Sequence, residues 1–222
     1  GNPKGVAISN ANLTHNLTII KRTFGHTEDS QGVIWLPPYH DMGLVGGILQ
    51  PVFAGFPCVL MNPKHFLTDP LTWLETMSQV RGTTSGGPNM AFDLCVKRVN
   101  TEGLRLDLSR WEICFTGSEP IRADTIDRFS RKLAAFGFRR TSFIPCYGLA
   151  ESTLMVTSAR KGKGPVVKPV SHDGLLSGVL SGPVSAPDAR ELVSSGEIPT
   201  GIELCIVNPI TNAQCREGYI GN

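Results

Sequence analysis

The sequence predicts an α/β protein, a mainly parallel sheet flanked by helices with a loop-rich antiparallel β tail. Three observations carry this expectation. Between residues 30 and 146, short apolar runs alternate with amphipathic stretches of helical period, the pattern of strands joined by helical crossovers. Glycines and polar residues gather just after the apolar runs, where open α/β sheets bind ligands. After Thr153 the character changes. Residues 162–200 are rich in Gly, Ser, Pro and Val without helical period, and no aromatic residue falls between Tyr147 and Tyr219. The expected division is an α/β core over residues 1–158 and a β-rich subdomain over 159–222.

The elements follow in order. Val6–Ile8 reads as a short strand. Ser9 or Asn10 caps a helix from about Ala11 to Phe24, with Leu13, Leu17, Ile20 and Phe24 on one stripe and Gly25 as the stop. Val33–Leu36 is a buried strand halted by Pro37-Pro38-Tyr39-His40-Asp41. A Gly-rich apolar helix then runs from Met42 to Phe53. Gly43, Gly46 and Gly47 weaken that helix, so close packing or room for a ligand must account for them. Cys58–Met61 is the next strand. Asp69-Pro70 opens a helix to about Val80. Thr83–Gly87 is a short strand, and Pro88 opens a helix to about Val99. Trp111–Phe115 is a strand. A helix from about Ala123 to Phe136 places Ile126, Phe129, Leu133 and Phe136 on one face, and Ser142–Cys146 is another strand. In the tail, Thr153–Thr157 and Glu203–Val207 read as strands, and Asn208–Asn212 as a hairpin turn.

Size and charge narrow the function. A chain of 222 residues can bury a sizeable core. Hydrophobic residues make up 41% and charged residues 18%. A net charge of +2, with Lys and Arg scattered, argues against nucleic acid as a partner. No apolar run nears the roughly 20 residues of a membrane span, and no signal peptide is expected at the N-terminus. Cysteines 58, 95, 114, 146, 205 and 215 are far apart without Cys-x-x-Cys, and are expected to be reduced core residues of a cytoplasmic protein, not a zinc site or disulfide frame. Gly1–Gly5 is a loop with no strand before it, and Glu217–Asn222 begins a strand and stops, so a piece of a longer protein is expected.

The strand ends supply the chemistry. Tyr147-Gly148 stops a strand, and Glu151 follows between Ala150 and Ser152. Glycine allows close approach of backbone to a ligand. Tyrosine offers a flat face with a polar tip, and a carboxylate just past a strand can hold Mg²⁺ beside phosphate oxygens. The same residues also describe a plain turn with a solvated Glu. His40 sits at a strand-to-helix switch and reads equally as a capping histidine. Asn2-Pro3-Lys4-Gly5 is a basic turn suited to phosphate, or simply a surface turn. The meeting of His40, Gly86, Gly117 and Tyr147 at one sheet edge is what favours function over these bland readings.

Pro3-Lys4-Gly5, Pro38-Tyr39-His40-Asp41-Met42-Gly43-Leu44, Gly117-Ser118-Glu119-Pro120 and Tyr147–Ser152 resemble, in order and spacing, the motifs of adenylate-forming enzymes. With Ser85-Gly-Gly-Pro-Asn89, they resemble the fatty acyl-AMP ligase branch in particular. The resemblance implies a ligase that uses ATP and Mg²⁺ to convert a fatty acid to acyl-adenylate and pyrophosphate. The acyl group would pass to an acyl-carrier-protein domain of a polyketide or peptide synthase, or to CoA as the second choice. A non-catalytic adenylation-like binding module is the third reading.

By the same resemblance, Lys4 and Gly5 end the phosphate loop, whose Ser/Thr-rich part is missing. Gly117, Ser118, Glu119 and Pro120 pack on adenine and ribose, Tyr147 stacks on adenine, and Cys146 and Gly148 flank it. Glu151 is the Mg²⁺ ligand and a catalytic residue, and Ser152 lies near the α-phosphate. His40 (also catalytic) and Met42 sit at the mouth of the acyl tunnel, and Ser85 and Gly86 line the passage to it. Ala150 replaces the threonine common elsewhere. The family's catalytic lysine and ribose-binding aspartate would lie in a C-terminal region beyond Asn222, so residues 1–222 alone are expected to be inactive. Residues 160–196 are long enough to hold the branch's extra segment.

Overall fold

The computed structural model describes residues 5–222. Lys4, expected at the phosphates, and the start of its turn lie outside them. The core elements are α1 (Asn10–Phe24), β1 (Gly32–Ile34), a π-helix (Met42–Leu49), α2 (Gln50–Ala54), β2 (Cys58–Leu60), α3 (Pro63–Thr68) and α4 (Leu71–Gln79). They continue as β3 (Thr84–Gly86), α5 (Asn89–Arg98), β4 (Ile113–Thr116), α6 (Ala123–Leu133), β5 (Phe143–Gly148) and β6 (Met155–Ser158). The tail adds β7 (Val167–Ser171), α7 (His172–Leu176) and β8 (Ala189–Val193).

Strands β1–β6 form one sheet in the order β2-β1-β3-β4-β5-β6. Its pairs are parallel except β5–β6, which is antiparallel with a register shift at Tyr147/Gly148. The expected mainly parallel sheet is therefore present, and β7–β8 supplies a small antiparallel sheet.

Local chemistry sets the helices. Ser9 Oγ accepts from Asn12 N–H at 3.2 Å, and Asn12 Oδ1 accepts from Ser9 N–H at 3.0 Å, a reciprocal cap. Gly25, at φ 64°, closes α1 by donating to the Lys21 carbonyl. Asn62 caps α3 with Pro63 at its first turn, a helix the sequence reading passed over.

The two faces of the sheet differ. Helices α3–α6 cover one face, where Trp73, Trp111, Phe66, Phe92, Phe129 and Phe143 are fully buried. Their rings meet mostly edge-to-face, as Trp73–Trp111 does at 5.1 Å between centroids. Each such side chain contributes on the order of 1.5–3 kcal/mol of burial. Helix α1 and the π-helix cover the other face. There Asn16, buried, donates to Met155 O at 2.9 Å and accepts from Met155 N–H at 3.1 Å, which ties α1 to the edge strand β6.

Four expectations fail. Val6–Ile8, exposed and with no strand beside it to pair with, is not a strand. Cys205 is exposed and not a core residue. Residues Glu203–Val207 are not a strand, since Val207 makes only an isolated bridge with Gln214. An isolated ribbon without a third strand or a buried face lacks the support a strand needs. The single helix expected over Met42–Phe53 is instead a π-helix followed by α2. Gly43 explains the wider turn. A Cβ there would run into the Pro37 carbonyl oxygen, and one at Gly47 would lie 2.6 Å from Ile34 Cγ2. Close packing thus accounts for both glycines.

Candidate functional site

A cleft of about 200 Å³ opens at the carboxyl ends of the parallel strands, on the face covered by α1 and the π-helix. His40, Asp41, Met42 and Gly46 form one wall, and Thr116, Gly117 and Ser118 come from the end of β4. Cys146, Tyr147 and Gly148 come from β5, and Leu154 and Met155 from β6. Ile20, Phe24, His26, Thr84 and Phe115 line its inner part. Burial gives the cleft a direction. Tyr147 and His40 are about half exposed and Ser118 is exposed, whereas Thr116, Gly117 and Met155 are buried together with Ile20, Phe24, His26, Thr84 and Phe115.

The rim is built by turns that only certain residues allow. A Cβ on Gly117 would sit 2.7 Å from the Cys146 carbonyl oxygen, so glycine lets the ends of β4 and β5 close together. Ser118 follows in left-handed conformation at φ 67°, and its hydroxyl lies 3.8 Å from Met42 Sδ, linking the β4 turn to the π-helix. The β5–β6 register shift turns Tyr147 out toward solvent. His40 Nδ1 lies 2.7 Å from Asp41 Oδ1, and Met42 N–H donates to the same carboxylate oxygen at 2.7 Å. Met42 N–H also lies 3.2 Å from His40 Nδ1, so the imidazole, the Asp41 carboxylate and the first turn of the π-helix form one polar cluster at the mouth of the cleft.

Glu151 stands exposed on a short 3₁₀ turn, Ala150–Ser152. Thr153 follows at φ 71° and ψ −57°, and Leu154 N–H donates to Ser152 O at 2.9 Å, a γ-turn of the strained positive-φ kind. The strained turn thus sets the backbone of Glu151 beside β6 and leaves its carboxylate in solvent. Among the described residues no group of three or more acidic, His or Cys side chains forms a metal cage. A single exposed carboxylate suits an ion shared with substrate phosphates and water, which is how Mg²⁺ is commonly held.

Of the residues singled out from the sequence, His40, Met42, Gly117, Ser118, Cys146, Tyr147 and Gly148 line this one cleft. Gly5, Glu151 and Ser152 lie outside its lining. Glu119 and Pro120 border a separate shallow depression with Asn89, Asp93 and Arg122. Asn89 shapes that turn, donating to Pro120 O and accepting from Arg122 N–H, each at 2.9 Å.

Ser85 requires a correction. It is fully buried on the aromatic face, where its hydroxyl donates to Val33 O and accepts from Trp73 Nε1 at 2.8 Å, so it lines no passage. Strand alternation turns Thr84, not Ser85, into the cleft. Gly86 is likewise outside the lining; a Cβ there would strike Phe115, and its absence lets that ring lie over β3. The Cys146 thiol is pushed up to about 12 by burial, which removes it as a nucleophile.

His26 was missed, because a histidine just after a helix-ending glycine looks like a turn residue. It is 4% exposed. Its Nδ1 lies 3.3 Å from Gln50 Nε2 and its Nε2 lies 3.2 Å from Thr84 Oγ1. Gln50 donates to Nδ1, so Nε2 carries the proton toward Thr84. Burial, with Lys161 and Lys21 nearby, lowers the ring to about 4 and keeps it neutral.

An open, mainly parallel sheet with a ligand cleft at its strand ends defines a small-molecule-binding α/β protein. Comparison with known proteins then gives the family. The family model described as AMP-binding enzyme matches residues 1–222, and the chain belongs to that family. It is 40% identical over its whole length to a medium-chain-fatty-acid–[acyl-carrier-protein] ligase of Teredinibacter turnerae, covering 35% of that protein. It is 39% identical over 99% of its length to a ligase of the same description from Moorena producens, covering 38% of it. A crystal structure of a fatty acyl-adenylate ligase from L. pneumophila, in complex with acyl adenylate and pyrophosphate, superposes with a TM-score of 0.93. It is 40% identical, with 99% of this chain and 38% of that one covered. The chain thus spans a little over a third of the length of the relatives it matches. No helix among the described residues is long and apolar enough to cross a membrane.

Proposed function

We propose that this chain forms the nucleotide- and acyl-binding part of a ligase that activates a fatty acid with ATP. The carboxylate oxygen attacks the α-phosphorus, the bond to the β-phosphate oxygen breaks, and acyl-adenylate and pyrophosphate form. The observation that carries the reading is the single cleft. Its inner part is walled largely by Ile20, Phe24, Phe115 and Met155, and its rim by the Gly117 and Tyr147 turns. An acyl chain inside and a nucleotide at the rim would bring carboxylate and α-phosphorus together, and such positioning is the main catalytic task in reactions at phosphorus. The relatives that act on medium-chain fatty acids and carrier proteins support the same reading.

In this proposal Tyr147 stacks on the adenine, and Gly117, Ser118, Glu119 and Pro120 border the nucleoside. Gly148 and Ser152 stand near the α-phosphate, and Glu151 holds Mg²⁺, which would neutralise phosphate charge. His40, held against Asp41 and the Met42 N–H, stands at the mouth beside Met42. Residues 160–196, which contain β7, α7 and β8, are proposed as the segment that favours a carrier-protein thiol over CoA. The setting is proposed to be the cytoplasm, and the carrier a domain of a polyketide or peptide synthase.

The test is fatty-acid-dependent pyrophosphate release by the full-length gene product, followed by acyl transfer to CoA or to holo-carrier protein. Glu151→Gln is expected to lower Mg·ATP-dependent release by about 10²-fold, as removal of a major charge-stabilising group does, with thermal stability unchanged. Release at the wild-type rate would remove Glu151 from its role. Faster transfer to CoA than to carrier protein would instead assign the product as acyl-CoA.

A further inference from the structure

We infer that His26, clamped by Gln50 and Thr84, is the end wall of the acyl part of the cleft and excludes long chains. This rests on the reading of the cleft as an acyl site. Several observations converge on it. His26 and Thr84 are among the most buried residues lining the cleft, at 4% exposure each. The imidazole is wedged between Phe24, at 5.5 Å and perpendicular, and Phe56, at 4.8 Å. Gln50, 0% exposed, packs behind it.

The wall is also stiff. Both ring nitrogens are engaged, one by Gln50 and one by Thr84. Rotating the ring aside would strand buried polar groups, and Gln50 Oε1 already has no partner. A flexible apolar side chain in this position could yield to a longer tail; this one cannot without breaking its clamp.

The space in front of the wall is bounded. The cleft holds about 200 Å³, part of it at the rim beside Gly117 and Tyr147, and the His26–Thr84 pair closes its buried side.

The full-length gene product is assayed for pyrophosphate release with hexanoate, octanoate, decanoate, dodecanoate and hexadecanoate. Wild-type kcat/KM is expected to fall at least about tenfold between octanoate and hexadecanoate, no more than the scale of a few misplaced methylenes in an apolar pocket. In His26→Ala the dodecanoate-to-hexanoate ratio of kcat/KM should rise at least about tenfold, chiefly through KM. Thr84→Val keeps the side-chain volume and removes one clamp. It is expected to move the same ratio in the same direction by a smaller factor, and it stands in should His26→Ala fail to fold. A ratio within about twofold of wild type in the soluble variants, or wild-type use of hexadecanoate as good as octanoate, overturns the end-wall assignment alone. No release with any of the acids overturns the acyl reading and the wall with it.

Discussion

Acid should weaken this fold through one buried histidine, and the size of the effect follows from the structure. His26 is 4% exposed and neutral, between Gln50 and Thr84. Its ring titrates at about 4 in the folded chain, against an ordinary value of 6.5. Because the folded value is the lower one, the unfolded chain binds a proton first as pH falls. Stability contributed by the neutral ring is intact above about pH 6.5 and declines between 6.5 and 4, then levels off. By linkage the loss between pH 7 and pH 4.5 is about 2 kcal/mol from this group. Urea unfolding followed by tryptophan fluorescence suits the measurement, since Trp35, Trp73 and Trp111 are all buried. The comparison is wild type against His26→Asn at the two pH values. The variant starts less stable but should lose about 2 kcal/mol less on acidification. Equal losses in both proteins would refute the placement of a neutral histidine in the core.

Three further perturbations, with one control, probe separate parts of the chain. Gly43→Ala places a methyl group against the Pro37 carbonyl and is expected to cost about 1–3 kcal/mol, seen as a drop of several degrees in Tm. Gly182→Ala, with nothing within 4 Å of the added carbon, should change stability by less than about 0.5 kcal/mol and serves as its control. Asn16→Ala removes both bonds to Met155 and should lower stability by about 2–4 kcal/mol in the same unfolding assay. Asp188 accepts from Ser171 Oγ, Asp173 N–H and Val184 N–H, each at 3.1 Å, and these bonds hold its carboxyl below the usual range. Asp188→Ala should speed proteolytic cleavage within residues 171–189 while leaving the main Tm in place.

The parts legible in the sequence are those fixed by local chemistry. The stripe Leu17, Ile20 and Phe24 with its Ser9 cap and Gly25 stop gives α1 almost to the residue, because period and caps act within a few positions of one another. In α6 the stripe of Ile126, Phe129 and Leu133 is buried as expected, while Phe136 ends a 3₁₀ turn and is only half-buried. The π-helix was not legible. Residues Met42–Leu49 are apolar all round, so nothing in their order selects one hydrogen-bond register. Contacts with Pro37 and Ile34, distant along the chain, select it. Glu203–Val207 shows the converse failure: a strand-like run finds no neighbour to pair with, and pattern alone cannot supply one.

The same distinction explains the site. Chain order announces unusual residues after β1, β4 and β5, but sheet order decides whether they meet. Because β1, β3, β4 and β5 are consecutive neighbours and parallel, the turns after β1, β4 and β5 open at one edge, and His40, Gly117 and Tyr147 share one cleft. β2 lies at the outer edge, and the turn that follows it contributes nothing to the lining. β3 is in the middle, yet its three small residues, Thr84, Ser85 and Gly86, carry no apolar alternation from which to read an inward face. A one-residue choice separates Thr84 in the cleft from Ser85 in the aromatic core, and such a slip exchanges the two faces of a strand completely. His26 enters only because α1 packs across β3 and brings the residue after its cap over Thr84. Residues at turns can thus be nominated from sequence, whereas the inner wall, which sets what fits, is assembled by packing between elements more than fifty residues apart.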